Sequence, residues 1–374
     1  MSQDSAARKP AANQVAINAF LVLLSLTASL GFLELGIRVY SGVIFPRMMV
    51  TDKKLGWRHA KDVTRTFVNE FGKKVVVSQN AHGHRGTLRS YDNGRRSFRI
   101  LALGDSFTEG VQVGEDEVFT AQLEQADPHL EVLNAGVGGY GTVQEYLYLA
   151  SEGVKFNPNL VLLMFFENDL TDNGTSYYPG FGPRPYARLV GNDVQIVETL
   201  DPTEYEKFIL PAPFRMSLND HSYFYYFLNS RIYQRLFAQE MLRRQQADLL
   251  KLDVKTRYEL FYGVLDRIQF FLTQRNIPLL VVLIPSKENV AGESPDGGSV
   301  IEEYCRQKSI NCASLLDAFR RAASPGVRLY FNVDMHWTKQ GHKLAAAEIL
   351  KNVRSMRETR PALAAASIAA GIGK

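Results

Sequence analysis

The sequence predicts an α/β fold: a doubly wound, flavodoxin-like, mostly parallel sheet with helices on both faces, preceded by one N-terminal transmembrane helix. Two observations predict it. From Phe98 onward, short apolar runs of strand length alternate with stretches of helical period. Ahead of them, Val15 to Leu33 is apolar over the length that crosses a bilayer.

Residues 1–14 form a polar tail carrying Arg8, Lys9 and Pro10. The following VAINAFLVLLSLTASLGFL has Asn18 as its one strongly polar interruption. As a helix it rises about 28 Å, close to the hydrocarbon thickness of a bilayer. A transmembrane helix is assigned to residues 15–36; a cleaved signal peptide and a buried core helix are the competing readings, which the length and all-round apolarity disfavour. Arg38, Arg47, Lys53 and Lys54 follow the span, so the basic residues do not set its orientation. Residues 37–97 make a juxtamembrane segment with short apolar runs such as Val75-Val76-Val77 and a turn-rich stretch from Asn80 to Gly86.

A catalytic domain is expected over residues 98–356, with an insertion at 171–254 and a flexible tail at 357–374. Ile100 to Leu103 is the first buried strand. A helix bearing Phe119, Leu123 and Ala126 follows, capped by Asp116. Leu130 to Leu133 is the next strand, and Thr142 with Glu145 reads as a capping box ahead of Val143, Tyr146, Leu147 and Ala150. Leu160 to Phe166 is apolar throughout, as a strand buried on both faces should be. Leu260, Val264, Ile268 and Phe271 mark a helix before the strand Pro278 to Ile284, and Ala346, Ile349, Leu350, Val353 and Met356 mark the last helix.

The 374 residues, 45% hydrophobic, suffice for one large core. The net charge of +4 is small, and no Lys/Arg cluster interleaves with aromatics, which argues against a nucleic-acid partner. No Cys/His cluster has zinc spacing, so neither metal nor cofactor is invoked. Cys305 and Cys312 either close a small disulfide loop or remain two buried thiols.

Four motifs carry chemistry. Leu103-Gly104-Asp105-Ser106-Phe107-Thr108-Glu109-Gly110 lies at the exit of the first strand; a serine there is held rigidly with its hydroxyl free, although a plain βα turn reads the same way. The glycine-rich Asn134 to Thr142 turn exposes backbone N–H groups for an oxyanion, a phosphate, or simply a change of direction, and it lacks a Walker lysine. Phe166-Glu167-Asn168-Asp169 follows the third strand, where Asn168 is either a donor or an ordinary turn residue. Asp334-Met335-His336-Trp337 precedes the last helix; residues two apart in extended chain share a side, so Asp334 can orient His336 toward Ser106. The alternatives are a structural hydrogen bond or half of a metal site. His342, a turn later, reads as a supporting or exposed residue.

In their order these motifs resemble the SGNH (GDSL-type) hydrolase superfamily, over about Arg99 to Val353. The resemblance implies Ser106 as nucleophile, His336 as base and Asp334 as orienting acid. It also implies an oxyanion hole from the Ser106 N–H, Gly139 and Asn168. Two departures stand out: the usual GxND reads Phe166-Glu167-Asn168-Asp169, and the usual DxxH is Asp334-x-His336. The DxHW form and the N-terminal helix resemble the SGNH-like proteins of exopolysaccharide O-acetylation. That similarity implies a single-pass membrane protein with an extracytoplasmic, periplasmic-side domain, and an acylated glycan substrate with envelope polysaccharide machinery as partner. A lipid ester substrate, or a non-catalytic glycan-binding subunit, are the alternatives.

In the insertion, Tyr177, Tyr178, Phe181 and Tyr186 either pack a loop or line a substrate site. Tyr223 to Phe227 with Ile232, Leu236 and Phe237 reads as a helical lid, and Lys287 as a solvated or substrate-binding lysine.

Overall fold

A computed structural model describes residues 12–44, 46–92, 97–179, 181–198, 214, 217–218, 221–229, 242–243, 245–294 and 297–359. Ile232, Leu236, Phe237, most of the N-terminal tail and nearly all of the C-terminal tail lie outside them. The chain divides into two compact units, Met1–Pro46 with Leu210–Leu236, and Arg47–Ile209 with Phe237–Lys374.

In the first unit α1 spans Ala12–Ile44. Its stretch Gln14–Tyr40 is long and apolar enough to cross a membrane, and none of its most apolar window is buried. The helix outruns the expected residues 15–36 because 37–44 hold no proline, Gly42 being tolerated, and Pro46 is the first proline after the span.

The second unit carries, in chain order, β1 (Met49–Asp52), β2 (Gly56–His59), β3 (Val63–Val68), β4 (Lys74–Gln79), β5 (Phe98–Gly104), α2 (Ser106–Glu109), α3 (Phe119–Ala126), β6 (Leu130–Asn134), α4 (Thr142–Ser151), β7 (Leu160–Phe165) and α5 (Asp169–Asp172). After β8 (Tyr177–Tyr178), β9 (Gly182–Pro183), β10 (Tyr186–Val190) and β11 (Asp193–Val197) come α7 (Val254–Thr273), β12 (Leu279–Leu283), α8 (Lys287–Ala291), α9 (Gly298–Gln307), β13 (Asn311–Ser314), α10 (Leu316–Ala322) and α11 (Lys339–Thr359). The short helix α6 (Tyr223–Leu228) belongs to the first unit, where Glu34 of α1 accepts the N–H groups of Tyr223 and Phe224 at 2.9 Å each.

The main sheet runs β13-β12-β7-β5-β6 with all pairings parallel. Counting only its own strands, this is the order 2-1-3-4-5 of a doubly wound sheet, whose ligand crevice opens where the winding reverses, beyond β5 and β7. The strands are buried on both faces, so alternate residues feed two cores. Ile100, Ala102, Leu162 and Val282 pack with Phe119, Phe319, Trp337 and Ile349 on one face. Leu101, Leu103, Leu163 and Val281 pack with Leu147, Leu260, Val264 and Ile301 on the other.

Two caps differ from expectation. The α4 cap is Gly141, whose N–H reaches Gln144 Oε1 at 3.3 Å, while Glu145 is buried. Asp116 sits inside a 3-10 turn, and α3 begins after Val118, because Phe119 must enter the core at the first helical position. Cys305 on α9 and Cys312 on β13 are free thiols that hydrogen-bond to each other. Each is held by its own element, Cys312 in register with Val281, and the pair packs as small side chains at the edge of the core.

Candidate active site

The turn after β5 is built to present Ser106. Asp105 Oδ1 accepts the Phe107 N–H at 2.9 Å and starts α2, and Gly110, left-handed at φ 65°, stops it four residues later. His336 Nε2 lies 2.6 Å from Ser106 Oγ. His336 Nδ1 hydrogen-bonds Asp334 Oδ1, which also accepts the His336 backbone N–H at 2.9 Å. The acid and base therefore meet through an Asx turn in a loop closed by the Tyr330–Trp337 bridge, and not along an extended strand. Burial works against charge on Asp334, and the His336 bonds outweigh it and hold its carboxyl below the usual range. Gln112 Nε2 adds a contact of 3.3 Å to Asp334 Oδ2.

The N–H groups of Ser106 and Gly139 make no hydrogen bond among the described residues. Gly139 is left-handed at φ 78°, and a side chain there would press on Tyr178 and Trp57. Gly136 has a different reason to be glycine: a Cβ would meet the Glu109 nitrogen at 2.5 Å, so this turn rests directly on α2. Both backbone polar groups of Gly138 are tied. Its carbonyl accepts the Trp57 indole N–H at 3.0 Å, and the Gly138 N–H donates to Glu109 Oε2 at 2.9 Å. Glu109 Oε1 in turn meets His59 Nε2 at 2.9 Å in a fully buried pair. Burial opposes charge on Glu109, but His59 and the Gly138 N–H overcome it and hold the carboxyl below its usual range. Arg184, wholly buried, holds the Gly139 carbonyl at 3.0 Å and Asp172 Oδ1 at 2.7 Å.

Asn168 stands at the exit of β7, beside the same turn of Asp105. Its amide donates to Asp172 Oδ2 at 3.0 Å and faces the Asp105 carboxyl, while its Oδ1 is buried without a partner. Asn168 is thus turned onto acids. Four carboxyls lie under this floor. Burial pushes Glu145 and Asp169 well above the carboxylate range, and it lifts Asp105 to about 6 despite the Phe107 N–H, His336 and Asn168. Arg184 neutralises the fourth, Asp172.

Asp105 yields a pH prediction. The native state holds its proton up to about pH 6, and the unfolded chain only to 3.8. The native state therefore binds more protons between these values, and stability falls as pH rises through that window, by on the order of 1–3 kcal/mol. Asp105→Asn is expected to remove that fall when unfolding free energies of the two proteins are compared from pH 4 to pH 7. Parallel curves would refute it.

Other expected residues fall into place differently. His342 is buried and neutral, its Nδ1 accepting the Phe119 N–H at 3.3 Å, and burial lowers its pKa to about 3. It belongs to the core because α11 turns that face toward α3. Lys287 Nζ donates to the Asn332 carbonyl at 3.1 Å, within the loop that leads to Asp334. Tyr178 and Phe181 join Trp57 in an aromatic group, Phe181 stacking on Trp57 at 4.8 Å, immediately beside Gly139. Trp57, His59 and Arg184 carried no motif in the sequence, and Glu109 lay within the Ser106 motif without an assigned role. Among the described residues no group of three or more His, Cys, Asp or Glu side chains is placed to hold a metal ion.

Residues 236–369 match the family model of an SGNH hydrolase-like domain, acetyltransferase AlgX; that range contains Asp334 and His336, and Ser106 lies before it. No curated protein matches. Among solved structures, similarity is found to a GDSL-like lipase from Bacteroides thetaiotaomicron, at 10% identity and TM-score 0.37, covering 72% of this chain and 93% of that one. An acetyl xylan esterase aligns at 13% identity and TM-score 0.39 over 68% of this chain and 99% of its own. A two-domain esterase active on acetylated mannans aligns at 11% identity and TM-score 0.38 over 70% of this chain and 50% of its own.

Proposed function

We propose that this chain, an SGNH-type serine esterase or acyltransferase, removes an acyl group, acetyl above all, from an O-acylated cell-envelope or exported glycan through an ester on Ser106. The observation that carries the proposal is the 2.6 Å approach of His336 Nε2 to Ser106 Oγ, with Asp334 behind the imidazole.

His336 takes the Ser106 proton as Oγ attacks the ester carbonyl. The Ser106 and Gly139 N–H groups receive the developing oxyanion, and Asn168 joins them once its amide turns from Asp172. Collapse of the tetrahedral species expels the sugar alkoxide, which His336 protonates. Water, or a hydroxyl of a second glycan, then gives its proton to His336 and attacks the acyl-enzyme, and Ser106 regains its proton as it leaves. The aromatic group of Trp57, Tyr178 and Phe181 beside Gly139 suits a sugar face, as expected of a glycan substrate. The helix α1 serves as membrane anchor, with the catalytic unit on the extracytoplasmic side.

The test is mass spectrometry of the full-length protein incubated with O-acetylated oligosaccharide, with and without an unacetylated acceptor glycan. An acetyl mass on the Ser106 peptide is expected, followed by its arrival on water or glycan. An acyl mass formed only from lysophospholipid would favour a lipid substrate, and none from either would leave a glycan-binding subunit.

A further inference from the structure

We infer that Glu70, at the tip of the β3–β4 hairpin, is a positioning residue of the catalytic site: its carboxylate grips the backbone of residues 332–334 and so sets the Asp334–His336 pair against Ser106. The inference rests on the triad reading above and assigns the juxtamembrane hairpin a part in it.

The grip consists of three consecutive N–H groups. Glu70 Oε1 accepts from Asn332 at 2.6 Å, and Oε2 accepts from Val333 at 2.8 Å and Asp334 at 3.1 Å. Successive N–H groups pointing one way form an anion-binding concavity, and charge-assisted bonds are the strong ones. Here the anion comes from the chain itself, more than 260 residues upstream. The hairpin tip is shaped beforehand: Asn69 Oδ1 accepts the N–H groups of Phe71 and Lys73 at 3.1 Å each, and Gly72 turns at φ 74°. Asn69 Nδ2 also holds the Gln112 carbonyl at 3.1 Å, and Gln112 is the residue whose amide reaches Asp334 Oδ2. Phe71 packs against Phe331 with ring centroids 5.0 Å apart.

What makes Glu70 decisive is the poverty of other restraints on the loop. Val333 is 93% exposed and Met335 52% exposed, so no core packing fixes residues 332–335. On its far side Lys287 Nζ holds the Asn332 carbonyl. The loop is therefore positioned by polar clamps, and Glu70 supplies three of its backbone bonds. Because Glu70 is itself exposed, removing it leaves the cores intact. A misplacement of about 1 Å at reacting groups is enough to cost about 100-fold in rate.

The experiment compares full-length wild type, Glu70→Ala and Glu70→Gln in detergent, with p-nitrophenyl acetate as substrate. Glu70→Ala is expected to lower kcat on the order of 10- to 100-fold with KM and thermal midpoint unchanged. Glu70→Gln, which keeps one acceptor oxygen, is expected to fall between. The far-downfield proton resonance of the His336 Nδ1–H bond to Asp334 is expected in wild type and broadened in Glu70→Ala. A kcat for Glu70→Ala within about twofold of wild type, or a loss of kcat matched by a lower thermal midpoint, would overturn the inference. If wild type turns over no ester, the triad reading fails by itself. The resonance then decides: its loss in Glu70→Ala supports positioning by Glu70, and its persistence refutes it.

Discussion

Replacing Ser106 by alanine is expected to lower ester turnover by on the order of 10⁶-fold and to abolish labelling by a fluorophosphonate, with the thermal midpoint unchanged. The hydroxyl has His336 Nε2 as its hydrogen-bond partner, and the turn that presents it is held by Asp105 and Gly110, neither of which needs the Ser106 side chain. Loss of function is therefore separable from loss of fold. Some acceleration over water should survive, because the N–H groups of positions 106 and 139 remain to hold an oxyanion. Equal labelling of wild type and variant would sink the catalytic reading, whatever the glycan specificity proves to be.

Asp334→Asn is the second large effect, expected at on the order of 10⁴-fold in kcat. Asp334 Oδ1 accepts from both the backbone N–H and Nδ1 of His336, and Oδ2 accepts from Gln112 Nε2. An asparagine must set its NH2 against one of these donors. Turned one way, it disrupts the Asx turn and the imidazole tautomer; turned the other, it opposes Gln112. In either case the negative charge that stabilises the imidazolium is lost. The carboxyl's pKa lies below the usual range, so wild type keeps this charge into mildly acid solution. A variant within about tenfold of wild type would mean that His336 is oriented by other groups.

Much of the site was legible before any coordinates because its parts sit where periodic patterns end. The apolar runs at 100–103, 130–133 and 160–166 become β5, β6 and β7, and the polar residues just beyond each converge on one crevice. The strand β13 was not legible: Asn311–Ser314 is four residues long, half-buried and polar at both ends, so it shows neither a run nor an alternation. The capping box assigned to Thr142 and Glu145 failed for a related reason. Its spacing was present, but the β6–α4 turn placed Gly141 at the cap and drew Glu145 into the interior.

The sequence by itself predicted a doubly wound sheet and singled out Ser106, Asp334 and His336, which the structure brings together, because each left a short-range pattern in the chain: a strand's period, a serine at its end, an aspartate two residues before a histidine. Only the tertiary structure decided what holds them. Trp57 on Gly138, His59 on Glu109, Arg184 on Gly139 and Glu70 on residues 332–334 are hydrogen bonds between segments remote in sequence. Such a bond asks of each segment a single polar residue at the right place in space, and one residue sets no period.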